Sequence, residues 1–320
     1  MQFYLAPLEG ITGYLYRNAL HDFFGGEIDK YFTPFLTPHT KRSFSGKEKN
    51  DLMREHNPGI SLVPQVLTKS ALDFLHLAED LKESFGYTEV DINLGCPSGT
   101  VTSKGRGAGF LAKPRELDEF LQEIFAKTTA EISLKTRIGT EDCEEFYQLL
   151  EIYNKYPLKE LIIHPRLGAE YYKGTPHRDL FYYAMEHSRN VLCYNGDIFS
   201  KADMPFLQEL GGHEKVKAVM LGRGILKNPG LVRELRTGER LKKEELLAFH
   251  DRILLDYQST LSGDRNVLFK MKKLWAYMME LFPDSEKYAK QIKKAERISE
   301  YRAAVEQLFL NRELLVDEKN

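Results

Sequence analysis

Eight short apolar runs, rich in β-branched and aromatic residues, recur along the first 224 residues: QFYLAPL, KYFTPFL, ISLVPQVL, EVDINLG, ISLKTRI, ELIIHPR, VLCYNGD and AVMLGRG. Longer stretches separate them, and in these the apolar residues fall three and four apart, as in SALDFLHLAEDLKESFG at 70–86 and RELDEFLQEIFAKT at 115–128. This alternation of a strand period with a helix period is the pattern of parallel β/α units. Gly86 closes the first of those stretches as a natural helix stop. Eight such pairs in about 240 residues match the size of a (β/α)8 barrel, whereas a doubly wound sheet ordinarily stops at about five to seven strands. The prediction is therefore an α/β protein with a TIM barrel over residues 1–238.

From residue 239 the strand signal stops. LKKEELLAFHDRILLDYQSTL, NVLFKMKKLWAYMMELF and a final run ending AVEQLFLNRELL read as helices, giving a small all-helical C-terminal domain over 239–320. Trp275 and Tyr277 are expected to pack its core. Charge is uneven here: residues 265–302 hold ten Lys or Arg against five acids, an excess of +5, although the whole chain has 45 basic and 47 acidic residues and a net charge of -2. A polyanion would have to bind through such local segregation.

At 42% hydrophobic and 29% charged residues, the composition excludes a disordered, collagen-like or membrane-embedded body. The opening MQFYLAPLEG lacks the basic and apolar regions of a signal peptide, which predicts a protein that stays in the cytoplasm. Cys96, Cys143 and Cys193 are odd in number and have no CxxC spacing, so neither a disulfide framework nor a metal site is expected.

In such a barrel the chemistry sits where strands end and the following loops begin. Those ends are polar here: APLEG, PQVL, NLGCPS, LKTR, HPR, NGD and GRG. Cys96 follows the fourth strand, between Gly95 and Pro97, in a sharp turn. It reads as a general acid or nucleophile, or as a half-buried structural thiol. Cys143 and Cys193, assigned to a helix and a strand, read as structural. Lys135 and His164 lie inside strands five and six. An inward lysine needs an anionic or electron-rich partner, such as a flavin ring and its phosphate; the alternatives are a lysine that reaches outward and a core histidine bonded to backbone. Gln65 could meet a flavin edge or satisfy a loop. NGD at 195–197 and GRG at 222–224 put glycine amides and an arginine where barrels commonly bind phosphate.

Taken together, APLEGITGYLYR at 6–17, VPQVL at 63–67, DINLGCPSGTV at 91–101, GRGAGFL at 105–111, SLKTRIG at 133–139, IIHPR at 162–166, YKG at 172–174, YNGDI at 194–198 and VMLGRGIL at 219–226 resemble the tRNA-dihydrouridine synthases, flavin enzymes that reduce uridine in transfer RNA. The resemblance implies an FMN pocket made by Pro7, Leu8, Glu9, Gly10, Gln65, Lys135, His164, Asn195, Gly196, Asp197, Gly222 and Arg223. It implies that Asn93 places the uracil, with Arg166, Tyr172 and Lys173 on the substrate side, and that Cys96 is the catalytic proton donor. Leu8, the HPRLG run and Arg106 depart from the common family pattern.

The implied reaction saturates the uracil C5=C6 bond: hydride from reduced FMN adds at C6, the Cys96 thiol protonates C5, and NADPH recharges the flavin. A thiol with an ordinary pKa near about 8.5 is mostly protonated at neutral pH, which suits an acid. Without a GxGxxG fingerprint, the nicotinamide would visit the same cleft. The implied partner is tRNA, bound by a monomer with no membrane or DNA involvement, and the basic helices would neutralise phosphates. Rival readings are the same machinery acting on a free pyrimidine or other small conjugated carbonyl compound, action on ribosomal RNA, and an RNA-binding protein without catalysis.

Overall fold

The computed structural model describes residues 1–39 and 44–315. Its strands are β1 Gln2–Leu5, β2 Lys30–Phe32, β3 Leu62–Val63, β4 Gln65–Val66, β5 Glu89–Leu94, β6 Glu131–Arg137, β7 Glu160–His164, β8 Leu192–Tyr194 and β9 Val216–Leu221. All pair in parallel, in the order β3-β2-β1-β9-β8-β7-β6-β5-β4. β3 and β4 are consecutive halves of the predicted third strand, so the ring closes through them as a TIM barrel. The break falls at Pro64, which has no N–H to give a ladder. Local bonds bridge it: the Gln65 N–H donates to Thr33 Oγ1 (3.0 Å), the Asp91 N–H to Pro64 O (2.9 Å) and the Leu36 N–H to Gln65 O (2.7 Å). A continuous third strand is thus corrected to a split one.

Helices cover the ring between strands. Ala71–Phe85 begins where the Ser70 hydroxyl accepts the Asp73 N–H and ends at Gly86, whose φ of +73° only glycine adopts freely. Pro114 opens Pro114–Lys127, where its missing N–H costs nothing. Inside the ring, Tyr4, Ala6, Phe32, Val63, Ile162, Cys193, Ala218 and Met220 form a buried cluster. Because side chains alternate along a strand, residues two apart share a face. That face continues from Ile162 to His164 and Arg166, and from Cys193 to Asn195 and Asp197. It turns from apolar to polar toward the carboxyl ends of the strands.

The chain divides into two compact units, Met1–Pro7 with Asp29–Asp197 and Pro205–Leu221, and Leu8–Ile28 with Ile198–Met204 and Gly222–Asn320. In the second unit lie the helices Lys243–Thr260, Asp264–Met278, Glu286–Lys294 and Ile298–Asn311. Trp275 is core there: its indole N–H donates to Tyr301 Oη (2.6 Å), which also meets His250 Nε2 (2.6 Å). Tyr277 is only partly covered. Cys193 is fully buried in β8, but Cys143 lies in the turn before the Glu145–Tyr153 helix, not in it. Among the described residues no helix is long and apolar enough to cross a membrane.

Candidate active site

Strand register assembles the polar centre of the first unit. Gln65 stands opposite Asp91, Asp91 opposite Ser133, Asn93 opposite Lys135, and Arg137 opposite His164. Gln65, Asp91, Ser133 and Asn93 are buried and form one hydrogen-bonded chain. Ser133 Oγ donates to Asp91 Oδ1 (2.9 Å), Gln65 Nε2 to Asp91 Oδ2 (2.7 Å), and Asn93 Nδ2 to Gln65 Oε1 (2.6 Å). Asn93 Oδ1 then accepts the N–H groups of Gly95 (3.1 Å) and Cys96 (3.0 Å).

The Cys96 turn is held from two further sides. Arg137 Nε donates to Gly95 O (3.0 Å), and the Ala108 N–H donates to Cys96 O (3.0 Å). The glycine-rich loop is what allows the second contact. Gly107 has φ +54°, and a Cβ there would stand 2.7 Å from Cys96 O and 3.0 Å from its Cβ. Only glycine fits beneath the cysteine. Cys96 itself is partly exposed.

Lys135 stands midway along β6, between Asn93 of β5 and Ile162 of β7. Burial lowers its ammonium pKa to about 8, with Arg137 adding to the effect and Asp91 opposing it. Burial raises the Asp91 carboxyl to about 7 against the hydrogen bonds from Gln65 and Ser133. Gln65 Nε2 and Asn93 Nδ2 each carry a second N–H beyond the bonds above. Lys135 and these amides form a donor-rich, acceptor-poor wall, which suits a planar ring edged with carbonyl and imine acceptors. A flavin is such a ring, and the residues present fit it.

On β7, His164 is buried with Nε2 3.3 Å from Arg166 Nη1. The guanidinium of Arg166 is fully buried and pairs with both oxygens of Asp197 (3.0 and 2.5 Å), while Nε donates to Lys173 O (3.2 Å) and Nη2 to Gly174 O (2.6 Å). Arg166 and Asp197 are therefore joined to each other and to the 167–174 loop. Arg137 completes the grip, donating to Leu167 O (2.7 Å) and Tyr171 O (2.7 Å). Tyr171 sits at φ +54°, an unusual backbone for tyrosine, and Tyr171 and Tyr172 are both exposed. The Tyr172 ring lies 6.0 Å from that of His164 and 5.5 Å from the Arg137 guanidinium. Asn195 donates to Met220 O (2.8 Å), and a Cβ on Gly196 would strike the Tyr194 ring, so both fix the turn after β8. Pro7 follows β1 in the same unit.

The second unit carries Leu8, Glu9, Gly10, Gly222 and Arg223. Leu8 and Gly10 form a turn before the Tyr14–Phe24 helix, where Gly10 has φ +78° and its carbonyl accepts from Lys270 Nζ (3.0 Å). Gly222 precedes the short Arg223–Lys227 helix, and the Arg223 guanidinium lies 5.6 Å from the Phe199 ring centre. On Glu286–Lys294, Tyr288 and Ile292 are buried and Lys287, Lys290, Lys293 and Lys294 are exposed, giving one helix a basic outer face. Other cations of the +5 segment serve structure: Lys272 donates to Ala295 O (2.6 Å) and Arg302 to Gln258 Oε1 (3.0 Å).

Sequence reasoning missed Asp91, Ser133 and Arg137. Asp91 stands two residues before Asn93 on β5, and Ser133 and Arg137 stand two residues either side of Lys135 on β6, so the strand period puts them on the same faces once the pairing shows which face is inside. A second thiol has a nucleophile-like setting, with Cys143 Sγ 3.8 Å from His177 Nδ1 and His177 Nε2 2.8 Å from Glu170. Burial and the carboxylates of Glu170, Asp179, Asp142 and Glu144 raise its pKa, which disfavours thiolate.

The family model described as "Dihydrouridine synthase (Dus)" matches residues 4–313. A Bacillus subtilis strain 168 protein named "Probable tRNA-dihydrouridine synthase 2" is 29% identical over 259 residues, covering 78% of this chain and 76% of its own length. A Staphylococcus epidermidis protein named "Probable tRNA-dihydrouridine synthase" is 27% identical over 234 residues, 71% of this chain and 69% of its own. Among solved structures, the old yellow enzyme from Trypanosoma cruzi superposes with a TM-score of 0.56 at 9% identity, covering 81% of this chain and 94% of its own. Morphinone reductase gives 0.52 at 12% identity, with 75% and 86% covered. These two agree with the barrel fold. With a match running almost from end to end, the chain belongs to the dihydrouridine synthase family.

Proposed function

We propose that this protein reduces the C5=C6 double bond of a uridine in transfer RNA to 5,6-dihydrouridine, using FMN and taking its electrons from NADPH. The observation that carries the reading is the Cys96 turn, held by Asn93, Arg137 and Ala108 beside the donor wall of Gln65, Asn93 and Lys135. When bound, reduced flavin supplies the hydride that adds at C6. The protein's own share is to hold, orient and protonate. Gln65, Lys135 and His164 would take the ring, and Asn195, Gly196, Asp197, Gly222 and Arg223, with Pro7, Leu8, Glu9 and Gly10, would complete the pocket. Asn93 would orient the uracil. The Cys96 thiol would hand its proton to C5 from the opposite side, and solvent would restore it.

For a base to reach this depth it must leave its stack, at a cost of about a few kcal/mol that contacts elsewhere must offset. The exposed lysines of Glu286–Lys294 and the Tyr171–Lys173 loop supply candidate contacts. The decisive experiment records the visible spectrum of the purified protein, then incubates it with NADPH and tRNA from cells lacking the gene. Dihydrouridine is mapped afterwards. A flavin spectrum with new dihydrouridine at defined positions is expected, and Cys96→Ala should keep the spectrum while losing about 10²-fold or more in rate. A yellow protein that reduces a free pyrimidine and leaves tRNA untouched would overturn the substrate, and a colourless one would overturn the chemistry.

A further inference from the structure

The side-chain chain beneath Cys96 has a direction. A carboxamide has one accepting end and one donating end, so each link constrains the next. At the top, two donors, the N–H groups of Gly95 and Cys96, converge on Asn93 Oδ1. Asn93 must therefore offer nitrogen to Gln65, and Gln65 must receive it through Oε1 and turn its own nitrogen down. Below, Gln65 Nε2 needs an acceptor, and Asp91 Oδ2 provides it at 2.7 Å. If the chain reversed, the Asn93 amino group would face two backbone donors and both bonds to the Cys96 turn would be lost.

We propose that Asp91 is a positioning residue: its carboxylate acceptor fixes the direction of the Gln65 and Asn93 amides and thereby holds the Cys96 turn in place. Its relevance to turnover rests on Cys96 being the proton donor, as read above. Gln65 from β4 and Ser133 from β6 bond the carboxylate, and the charges of Lys135 on β6 and Glu89 on β5 act on it in opposite directions. Ser133 occupies the other oxygen and takes no part in the amide chain. Removing it costs Asp91 one hydrogen bond without changing the acceptor offered to Gln65. A merely structural role would make the two losses equivalent.

Hydrogen exchange at the Gly95 and Cys96 amides of the full-length protein, without RNA, reads the turn directly. Asp91→Leu is expected to speed both amides about tenfold or more, as the loss of a protecting bond would. Ser133→Ala should leave both within about threefold of wild type, and so should Asp91→Asn, whose oxygen can face Gln65 while its amino group meets the Ser133 hydroxyl. An Asp91→Leu protein with unchanged exchange overturns the proposal, as does Ser133→Ala matching Asp91→Leu. Asp91→Asn matching Asp91→Leu overturns it too, because charge near Lys135 would then be what matters. Should Asp91→Leu not fold, Gln65→Met cuts the chain at its next link and must show the same acceleration. None of these readings needs flavin or RNA turnover, so a colourless or inactive protein would sink the proposed reaction without touching this result.

Discussion

At the scale of single residues, the centre of the barrel joins a carboxyl and an ammonium whose proton affinities burial moves toward each other, to about 7 for Asp91 and about 8 for Lys135. Because the folded value of Asp91 lies above its ordinary 3.8, its contribution to stability is complete below that value and is lost as pH rises through about 7. Lys135 is depressed from 10.5, so its contribution is complete above that value and is lost as pH falls through about 8. The pair therefore predicts stability that falls from about pH 4 to 7, stays level to about 8 and rises beyond it. Urea midpoints against pH should follow this course, and Asp91→Asn should flatten the acid-side fall while sparing the alkaline rise. Cys96 and Gln65 stood out in the sequence as polar residues where strands end, and Lys135 and His164 as polar residues inside apolar strand runs, each with a structural alternative left open. Asp91 and Arg137 did not, since an acid and an arginine within short mixed runs look like solvent-facing residues until the neighbouring strand shows which face is inside. Arg166 was singled out only through the family resemblance, and no spacing could say that its donors go to Asp197 and to two loop carbonyls.

At the scale of elements, all eight predicted strand runs form strands, since β-branched and aromatic runs of that length fit little else. The third is split because proline cannot serve a central ladder. Thr33 closes the gap by accepting the Gln65 N–H inside the protein. Thr33→Val keeps the shape and removes the acceptor, so it should cost about 1–3 kcal/mol in chemical denaturation, the penalty for a buried unpaired donor. A threonine directly after β2 gave no hint of that task in the sequence. The GRGAG loop was legible as special, but its service is steric. Gly107→Ala places a methyl 2.7 Å from Cys96 O, where backbone must move. It should lower the single-turnover rate of dihydrouridine formation about tenfold or more and leave the flavin spectrum in place.

At the scale of the whole molecule, a chain near charge balance carries its excess of cations on one segment, and four of them form the outer face of one helix. Affinity for tRNA should therefore fall steeply with salt. If those four lysines each neutralise a phosphate, the slope of log K against log salt loses about 3 when all four become glutamine, read by filter binding across a salt series, with flavin content unchanged. The number and order of β/α units were readable from the sequence, as was the helical region after them. The division into two compact units was not, because it runs through the first loop and helix and depends on packing that no local period records. The loop at 167–174 has one more consequence. Its path is written by two arginines outside it, Arg137 and Arg166, whose donors hold the carbonyls of Leu167, Tyr171, Lys173 and Gly174 and so grip backbone, not side chains. Such a loop is a socket whose frame is gripped through its carbonyls, so on the function proposed above Tyr172 and Lys173 are the positions at which a designer would retune which nucleotide neighbourhood is accepted.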